Sequence, residues 1–126
     1  MRSRQLGWHW IFDGWVAGGR LVCNEELLTR VLEELPRRLE LTLVSRPQVF
    51  AHQGNPASVA GIVLLNESHF SLHAFPQRGL LHGDLFSCKA FEPAVARRCL
   101  DEFFTFRHVS ERVLDRGGDR APEEPS

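Results

Sequence analysis

A stretch of regular alternation near the middle of the chain constrains the fold more than any other feature of the sequence. Residues 69–75 place histidine and serine on one side of an extended chain and apolar residues on the other, which is typical of a strand with one buried face. Residues 76–79, Pro-Gln-Arg-Gly, have the composition of a turn, and residues 80–88 return as a second strand. The sequence therefore predicts an antiparallel hairpin with polar groups on its outer face.

The predicted hairpin also brings distant residues together. If the four turn residues form the whole loop, His73 faces His82 across the two strands. Cys88 then arrives opposite Glu67 and beside Ser68, and cross-strand partners lie about 4.5–5.5 Å apart at Cβ. A serine, a cysteine and one or two histidines thus converge on one region, unless a bulge at Ser68 breaks the register.

Other patterns along the chain predict two helices and further strands. Asn24 is placed to cap a helix that Pro36 ends, and Glu92-Pro93 can open a second helix. Further strands are predicted over residues 8–16, 41–44, 58–65 and 106–113. Together these elements favour an α+β two-layer sandwich, an antiparallel β-sheet with two α-helices on one face. Residues 1–113 are predicted to form a single domain and residues 114–126 a disordered tail.

Charge and cysteine content exclude several classes of function. The formal net charge of -1 gives no broad field that would attract a nucleic acid. Three cysteines cannot all pair, no leader precedes the first predicted strand, and no apolar run could span a membrane, so we expect a cytoplasmic protein. Lys89 is the single lysine, so chemistry on amines through lysine-bound pyridoxal phosphate would have one candidate residue.

Residues 66–76 and 83–88, Asn-Glu-Ser-His-Phe-Ser-Leu-His-Ala-Phe-Pro and Gly-Asp-Leu-Phe-Ser-Cys, carry a specific resemblance. The chain resembles the pyruvoyl-dependent S-adenosylmethionine decarboxylases of bacteria and archaea. The resemblance rests on a Glu-Ser-His triplet, a histidine five positions after the serine and a cysteine twenty positions after it. It extends in weaker form from about residue 8 to residue 113.

The resemblance implies a proenzyme that cleaves itself between Glu67 and Ser68. Ser68 would attack the carbonyl of Glu67 to give an ester, and β-elimination would leave a pyruvoyl group derived from Ser68. This cofactor would form a Schiff base with the α-amine of the substrate and accept electrons as CO2 leaves. By their matching positions, His73 would assist proton transfer in processing and Cys88 would be the proton donor in decarboxylation.

The resemblance also implies partners and a pathway. Members of the family act on a small-molecule substrate in polyamine biosynthesis. They are homodimers of processed chain pairs, with active sites near the subunit interface. We therefore expect this chain to form a homodimer of the same kind.

Several departures from the family pattern concern the substrate. Gln77 stands where the family has a glutamate that binds the ribose, and an amide has one acceptor oxygen where a carboxylate has two. Phe75 is a smaller aromatic than the one expected to stack on adenine, and Gly54 replaces the second stacking residue. The predicted substrate is therefore S-adenosylmethionine (AdoMet) or a basic amino acid such as L-ornithine or L-arginine. Ala60 replaces a serine used in processing, and Ser58 on the same strand face is a candidate substitute.

Two other classes of function stay open. A homologue that has lost catalysis could bind and regulate a partner enzyme. Zinc could also be held by histidine and cysteine side chains of the hairpin, namely His69, His73, His82 and Cys88. Because a metal site needs closer convergence than this hairpin offers, we predict no metal site.

Overall fold

Six antiparallel strands form one sheet in the computed structural model, which describes residues 6–54 and 56–118. The strands are β1 (Gly7–Val16), β2 (Gln48–His52), β3 (Ser58–Leu65), β4 (Ser68–Phe75), β5 (Leu80–Ser87) and β6 (Phe106–Arg116). Their order across the sheet is β2-β3-β4-β5-β1-β6. The first strand along the chain is therefore a central strand, flanked by β5 and β6.

Two helices bury their apolar faces in the same core. They are α1 (Glu25–Arg38) and α2 (Pro93–Phe103), and α1 contacts β2, β3, β4 and α2. Leu32 of α1 and Leu100 of α2 are both fully buried in the core cluster. The predicted α+β two-layer architecture is thus confirmed. Among the described residues, no helix is long and apolar enough to cross a membrane.

The predicted start of α1 is confirmed, but the predicted end is wrong. The side-chain oxygen of Asn24 accepts a hydrogen bond from the N–H of Leu27 at 2.8 Å. Pro36 lies inside the helix, which continues to Arg38. Near the end of a helix the missing N–H of proline removes a single bond, and the N–H of Leu39 still reaches the carbonyl of Pro36 at 3.1 Å.

The prediction of a short strand over residues 41–44 is also wrong. Leu43 makes one isolated bridge to Leu65, and β2 forms the edge of the sheet beside the first part of β3. The Oγ of Ser45 accepts the N–H of Leu64 at 3.0 Å, in place of a backbone carbonyl. This side-chain bond interrupts the backbone ladder, so the segment stays irregular.

The last strand is longer than predicted. Leu114 pairs with His9 and Arg116 pairs with Gly7, so β6 runs three residues past the predicted boundary at residue 113. Residues 114–116, predicted to lie in the tail, therefore belong to the sheet. Residues 119–126 of that predicted tail lie outside the described residues.

Alternation along β4 and β5 divides the sheet into two faces. Phe70, Leu72 and Ala74 are fully buried under the helices, as predicted from the sequence. The opposite side of the sheet carries no helix in the described residues, and we call it the open face. In the register, His73 pairs with His82, which confirms the predicted hairpin.

Candidate active site

A two-residue turn joins β3 to β4, and it contains the expected cleavage point. Leu65 pairs with Ser68, so Asn66 and Glu67 alone form the turn. Glu67 has a φ of 58°, in the left-handed region that glycine and asparagine occupy most easily. A residue with a Cβ holds this conformation at a cost of roughly 1–2 kcal/mol. The bond between Glu67 and Ser68 therefore follows a strained residue at the end of the sheet.

Cys88 lies against both sides of this bond. Its backbone N–H donates to the Oγ of Ser68 at 3.1 Å, and its Sγ donates to the carbonyl oxygen of Glu67, also at 3.1 Å. The hydroxyl of Ser68 donates to the carbonyl of Asn66 at 3.2 Å. The structure thus brings Ser68, Glu67 and Cys88 together, as the predicted register required. A nucleophilic hydroxyl and a polarised carbonyl meet at one point.

His73 does not lie near Ser68 within one chain. It is five residues along β4, about 16 Å away at ~3.3 Å per residue. Ser68 shares the strand parity of the buried residues Phe70 and Leu72, whereas His73 is exposed on the open face. The two side chains therefore belong to opposite faces of the sheet.

On the open face, His73 stacks on its cross-strand partner His82. Their ring centroids are 5.0 Å apart with an interplanar angle of 14°. Burial lowers the pKa of His82, and the nearby imidazole of His73 lowers it further, against the opposing effects of Asp13 and Asp84. At neutral pH His82 is therefore an uncharged ring.

The expected substrate-binding residues lie at the far end of β4 from Ser68. Phe75 is the last residue of this strand, and one face of its ring stacks on His82 with centroids 5.5 Å apart. Gln77 follows in a short 3-10 turn and is exposed. Within one chain, the structure does not bring Phe75 or Gln77 to Ser68.

The two β3 residues considered for processing lie on the open face. Ala60 pairs directly with His73, so its methyl group occupies the position opposite that histidine. Ser58 pairs with His52 at the edge of the sheet, one further step along the same face.

A small cavity of about 130 Å³ opens beside Ser68. Lys89 lines this cavity. Its Nζ donates to the backbone carbonyl of Glu40 at 3.2 Å. The single lysine is thus held near Ser68 by a backbone contact.

Sequence reasoning missed a polar network centred on Asp84. One oxygen of this carboxylate accepts hydrogen bonds from His9 at 2.5 Å and from His69 at 3.0 Å, and the other accepts from the hydroxyl of Ser71. Burial alone would raise the pKa of Asp84, but these three hydrogen bonds outweigh it and lower the pKa. His9 was the sequence signal that could have indicated this network. Its neighbour Trp10 is buried, and because successive side chains of a strand point to opposite faces, His9 points to the open face.

The four residues considered as an alternative zinc set, His69, His73, His82 and Cys88, are not brought together among the residues that the structure describes. In the described part of the chain, the histidine, cysteine and carboxylate groups close enough to share an ion are His9, His69 and Asp84. Arg116 donates to the Nδ1 of His9 at 2.8 Å, which leaves the proton of that ring on Nε2, facing Asp84. The arrangement therefore fits a hydrogen-bonded network better than a set of metal ligands.

Comparison with known proteins gives a consistent result. The family profile described as S-adenosylmethionine decarboxylase matches residues 8–117. The S-adenosylmethionine decarboxylase proenzyme of Archaeoglobus fulgidus is 36% identical, over 89% of this chain and 98% of that protein. The proenzyme of the same name from a Hydrogenobaculum species is 33% identical, over 91% of this chain and 84% of that protein.

A solved structure shares the fold as well. The crystal structure of the adenosylmethionine decarboxylase from Aquifex aeolicus superposes with a TM-score of 0.68 at 25% identity, covering 98% of both chains. The sequence matches and the structural match therefore both extend over nearly the whole length of this chain. The chain belongs to the S-adenosylmethionine decarboxylase family.

Proposed function

We propose that this chain is a self-processing, pyruvoyl-dependent carboxy-lyase that cleaves itself between Glu67 and Ser68. The observation that carries the proposal is the pair of contacts from Cys88, one to the Oγ of Ser68 and one to the carbonyl oxygen of Glu67. The word proenzyme in the names of the relatives supports processing. A cytoplasmic location suits the three free thiols of the chain.

Self-cleavage begins with an acyl transfer from nitrogen to oxygen. The Oγ of Ser68 adds to the carbonyl carbon of Glu67, the C–N bond breaks, and the hydroxyl proton ends on the freed amine. Negative charge develops on the carbonyl oxygen of Glu67 during this step, and the thiol of Cys88 already donates to that oxygen. The product is an ester that links Glu67 to Ser68.

Elimination then separates the two chains. The Cα of Ser68 loses a proton, its Cβ–O bond breaks, and Glu67 leaves as the terminal carboxylate of residues 1–67. Water replaces the nitrogen of residue 68, which departs as ammonia, and a ketone remains at the new N-terminus. Ser68 supplies the nucleophile, and Cys88 supplies the hydrogen bonds to Ser68 and to the carbonyl of Glu67. His73, supplied by a second copy, takes the proton from the Cα of Ser68.

The pyruvoyl ketone supplies an electron sink for decarboxylation of a small substrate that carries an α-amine. Cys88 stays next to residue 68 and is the proton donor to the carbon that loses CO2. The amines produced in this way feed polyamine biosynthesis.

The working form is a homodimer in which His73 acts on the Ser68 of the other copy. Support comes from the separation of Ser68 and His73, about 16 Å along β4, which is too long for both side chains to act at one point within a single chain. The open face also exposes the apolar side chains of Phe50, Ile62 and Leu64, with 75%, 40% and 51% of their surface accessible. A second copy would remove this surface from water.

Mixing two inactive variants tests the shared site. Ser68→Ala lacks the nucleophile, and His73→Ala lacks the histidine. If the site is shared, the His73→Ala chain is cut when the two variants refold together, because the Ser68→Ala copy supplies its histidine. Neither variant should be cut alone, and a mixture that stays uncut contradicts the shared site.

Either AdoMet or a basic amino acid, L-ornithine or L-arginine, is the substrate. Two observations favour the basic amino acid. His82 covers one face of Phe75, and residue 54 is a glycine without a side chain to offer as a second stacking partner. Release of CO2 from AdoMet, L-ornithine, L-arginine and L-lysine, measured side by side, decides between them. Efficient turnover of AdoMet would contradict the preference for a basic amino acid.

Denaturing mass spectrometry tests the processing itself. The purified protein should give two chains, residues 1–67 and residues 68–126, and the second should carry a ketone that reacts with a hydrazine. The Ser68→Ala variant should stay whole at 14.4 kDa. A wild-type chain that also stays whole would contradict the enzyme proposal and favour a non-catalytic regulatory homologue.

A further inference from the structure

A single chain of polar contacts crosses four neighbouring strands on the open face. Arg116 of β6 donates to the Nδ1 of His9 on β1, and the Nε2 of His9 donates to Asp84 on β5. Asp84 in turn accepts from the Nε2 of His69 on β4. Every one of these side chains has a partner, and the carboxylate holds its charge because its pKa is lowered. Hydrogen bonds to such a charged acceptor are stronger than bonds between neutral groups.

The position of His69 in this network matters because of its neighbour. His69 directly follows Ser68, and its ring also stacks on Phe86, with centroids 6.0 Å apart. In the uncut chain, the turn at Asn66 and Glu67 ties the start of β4 to β3 through covalent bonds. Cleavage after Glu67 would remove that tie and make residue 68 a free strand end, which is where strands fray.

We propose that His69, held by Asp84, is a positioning residue that keeps the new N-terminus in register after the chain is cut. This inference rests on the proposed cleavage between Glu67 and Ser68. The bond to Asp84 fixes the first side chain after the reactive residue to the neighbouring strand β5. The same strand leads directly to Cys88, so the ketone stays beside its proton donor.

A role limited to general stability would look different. Contacts that only stabilise the fold would slow amide exchange near residue 69 to the same degree in the cut and uncut chains. A residue that restrains a free end should matter far more after cleavage, because the covalent turn already restrains β4 before it. The two forms of this protein therefore separate the two roles.

The test is amide hydrogen exchange of residues 69–72. Each substitution is made both in the wild-type protein, which is cut, and in the Ser68→Ala variant, which is not, and the exchange rates are compared. His69→Ala should speed exchange by about tenfold or more in the cut protein and by less than about twofold in the uncut one. His69→Gln, which retains an N–H donor, should recover most of the protection. His108→Ala is a matched control on the same face, far from residue 68, and should leave exchange at residues 69–72 unchanged.

Steady-state kinetics give a second readout. In the cut protein, His69→Ala should lower kcat by about tenfold with little change in KM, because substrate still binds while the reacting group is misplaced. If the His69→Ala variant does not cleave itself, Asp84→Asn alters the partner of His69 instead and leaves residue 69 unchanged. The same comparison can then be made with that variant. Equal acceleration of exchange in both backgrounds, or an unchanged kcat, overturns the positioning role. A wild-type chain that is never cut instead refutes the proposed function, and with it the need for this restraint.

Discussion

The Sγ of Cys88 lies 3.1 Å from the carbonyl oxygen of Glu67, twenty-one residues away in sequence and one strand away in space. Through its own backbone N–H, the same cysteine also holds the Oγ of Ser68. A residue expected to work after processing is thus already in contact with the bond that processing would break.

Replacing Cys88 should therefore slow self-cleavage as well as decarboxylation. Cys88→Ala removes the donor to the Glu67 carbonyl and should slow cleavage by roughly tenfold to a hundredfold, less than the loss of a strong oxyanion donor. Cys88→Ser keeps a donor and should cleave at close to the wild-type rate. The fraction of cut chain over time on a denaturing gel measures both. If Cys88→Ala cleaves as fast as wild type, the thiol has no part in processing.

The strained turn makes a prediction about stability. In the uncut Ser68→Ala background, Glu67→Gly should be at least as stable as its parent and up to about 1 kcal/mol more stable, because glycine accepts a positive φ freely. Glu67→Gln keeps the Cβ and should leave stability unchanged. Urea denaturation measures these differences. A clear loss of stability in Glu67→Gly would show that the left-handed conformation is not strained.

Gly83 has no room for a side chain in the centre of the sheet. A Cβ added there would collide with the backbone carbonyl oxygen of Ser71 and would lie 2.9 Å from a methyl carbon of Leu72. We expect Gly83→Ala to lower the free energy of unfolding by about 3 kcal/mol, near the upper end for overpacking, because backbone cannot move aside. At Gly54 the added Cβ meets the ring of His52, which is exposed and can rotate. Gly54→Ala is thus the control and should cost less than about 1 kcal/mol.

The protein should become less stable as the pH is lowered, over a range set by the pKa of His82. Burial and the neighbouring His73 lower its pKa in the folded chain, while the unfolded chain keeps the usual value of about 6.5. Below that value the unfolded state binds the proton more readily, so stability declines as pH falls toward the folded pKa. His82→Gln should flatten this decline in urea titrations between pH 7 and about 5. An equally steep decline in the variant would assign the effect to other groups.

Much of the local structure could be predicted because it depends on neighbours in sequence. Turn composition and two-residue alternation were sufficient for the hairpin register that pairs His73 with His82. The segment at residues 41–44 could not be predicted, because the Oγ of Ser45 replaces a ladder bond and only the fold brings Leu64 to it. Asp84 was missed for a similar reason, since its partner His9 lies seventy-five residues away on a strand that sequence order does not place beside it.

The place of β1 between β5 and β6 determines what a cut protein could do after it unfolds. With the chain divided after Glu67, β1 would belong to one fragment and both of its neighbours to the other. The pairings β3–β4, β1–β5 and β1–β6 would then all be contacts between fragments. Heat would release two separate molecules, and their reassembly would depend on concentration, since no tether holds them at high local concentration. Maturation would thus be a one-way event: the uncut Ser68→Ala chain refolds by itself, whereas the mature pair, once melted and diluted, does not.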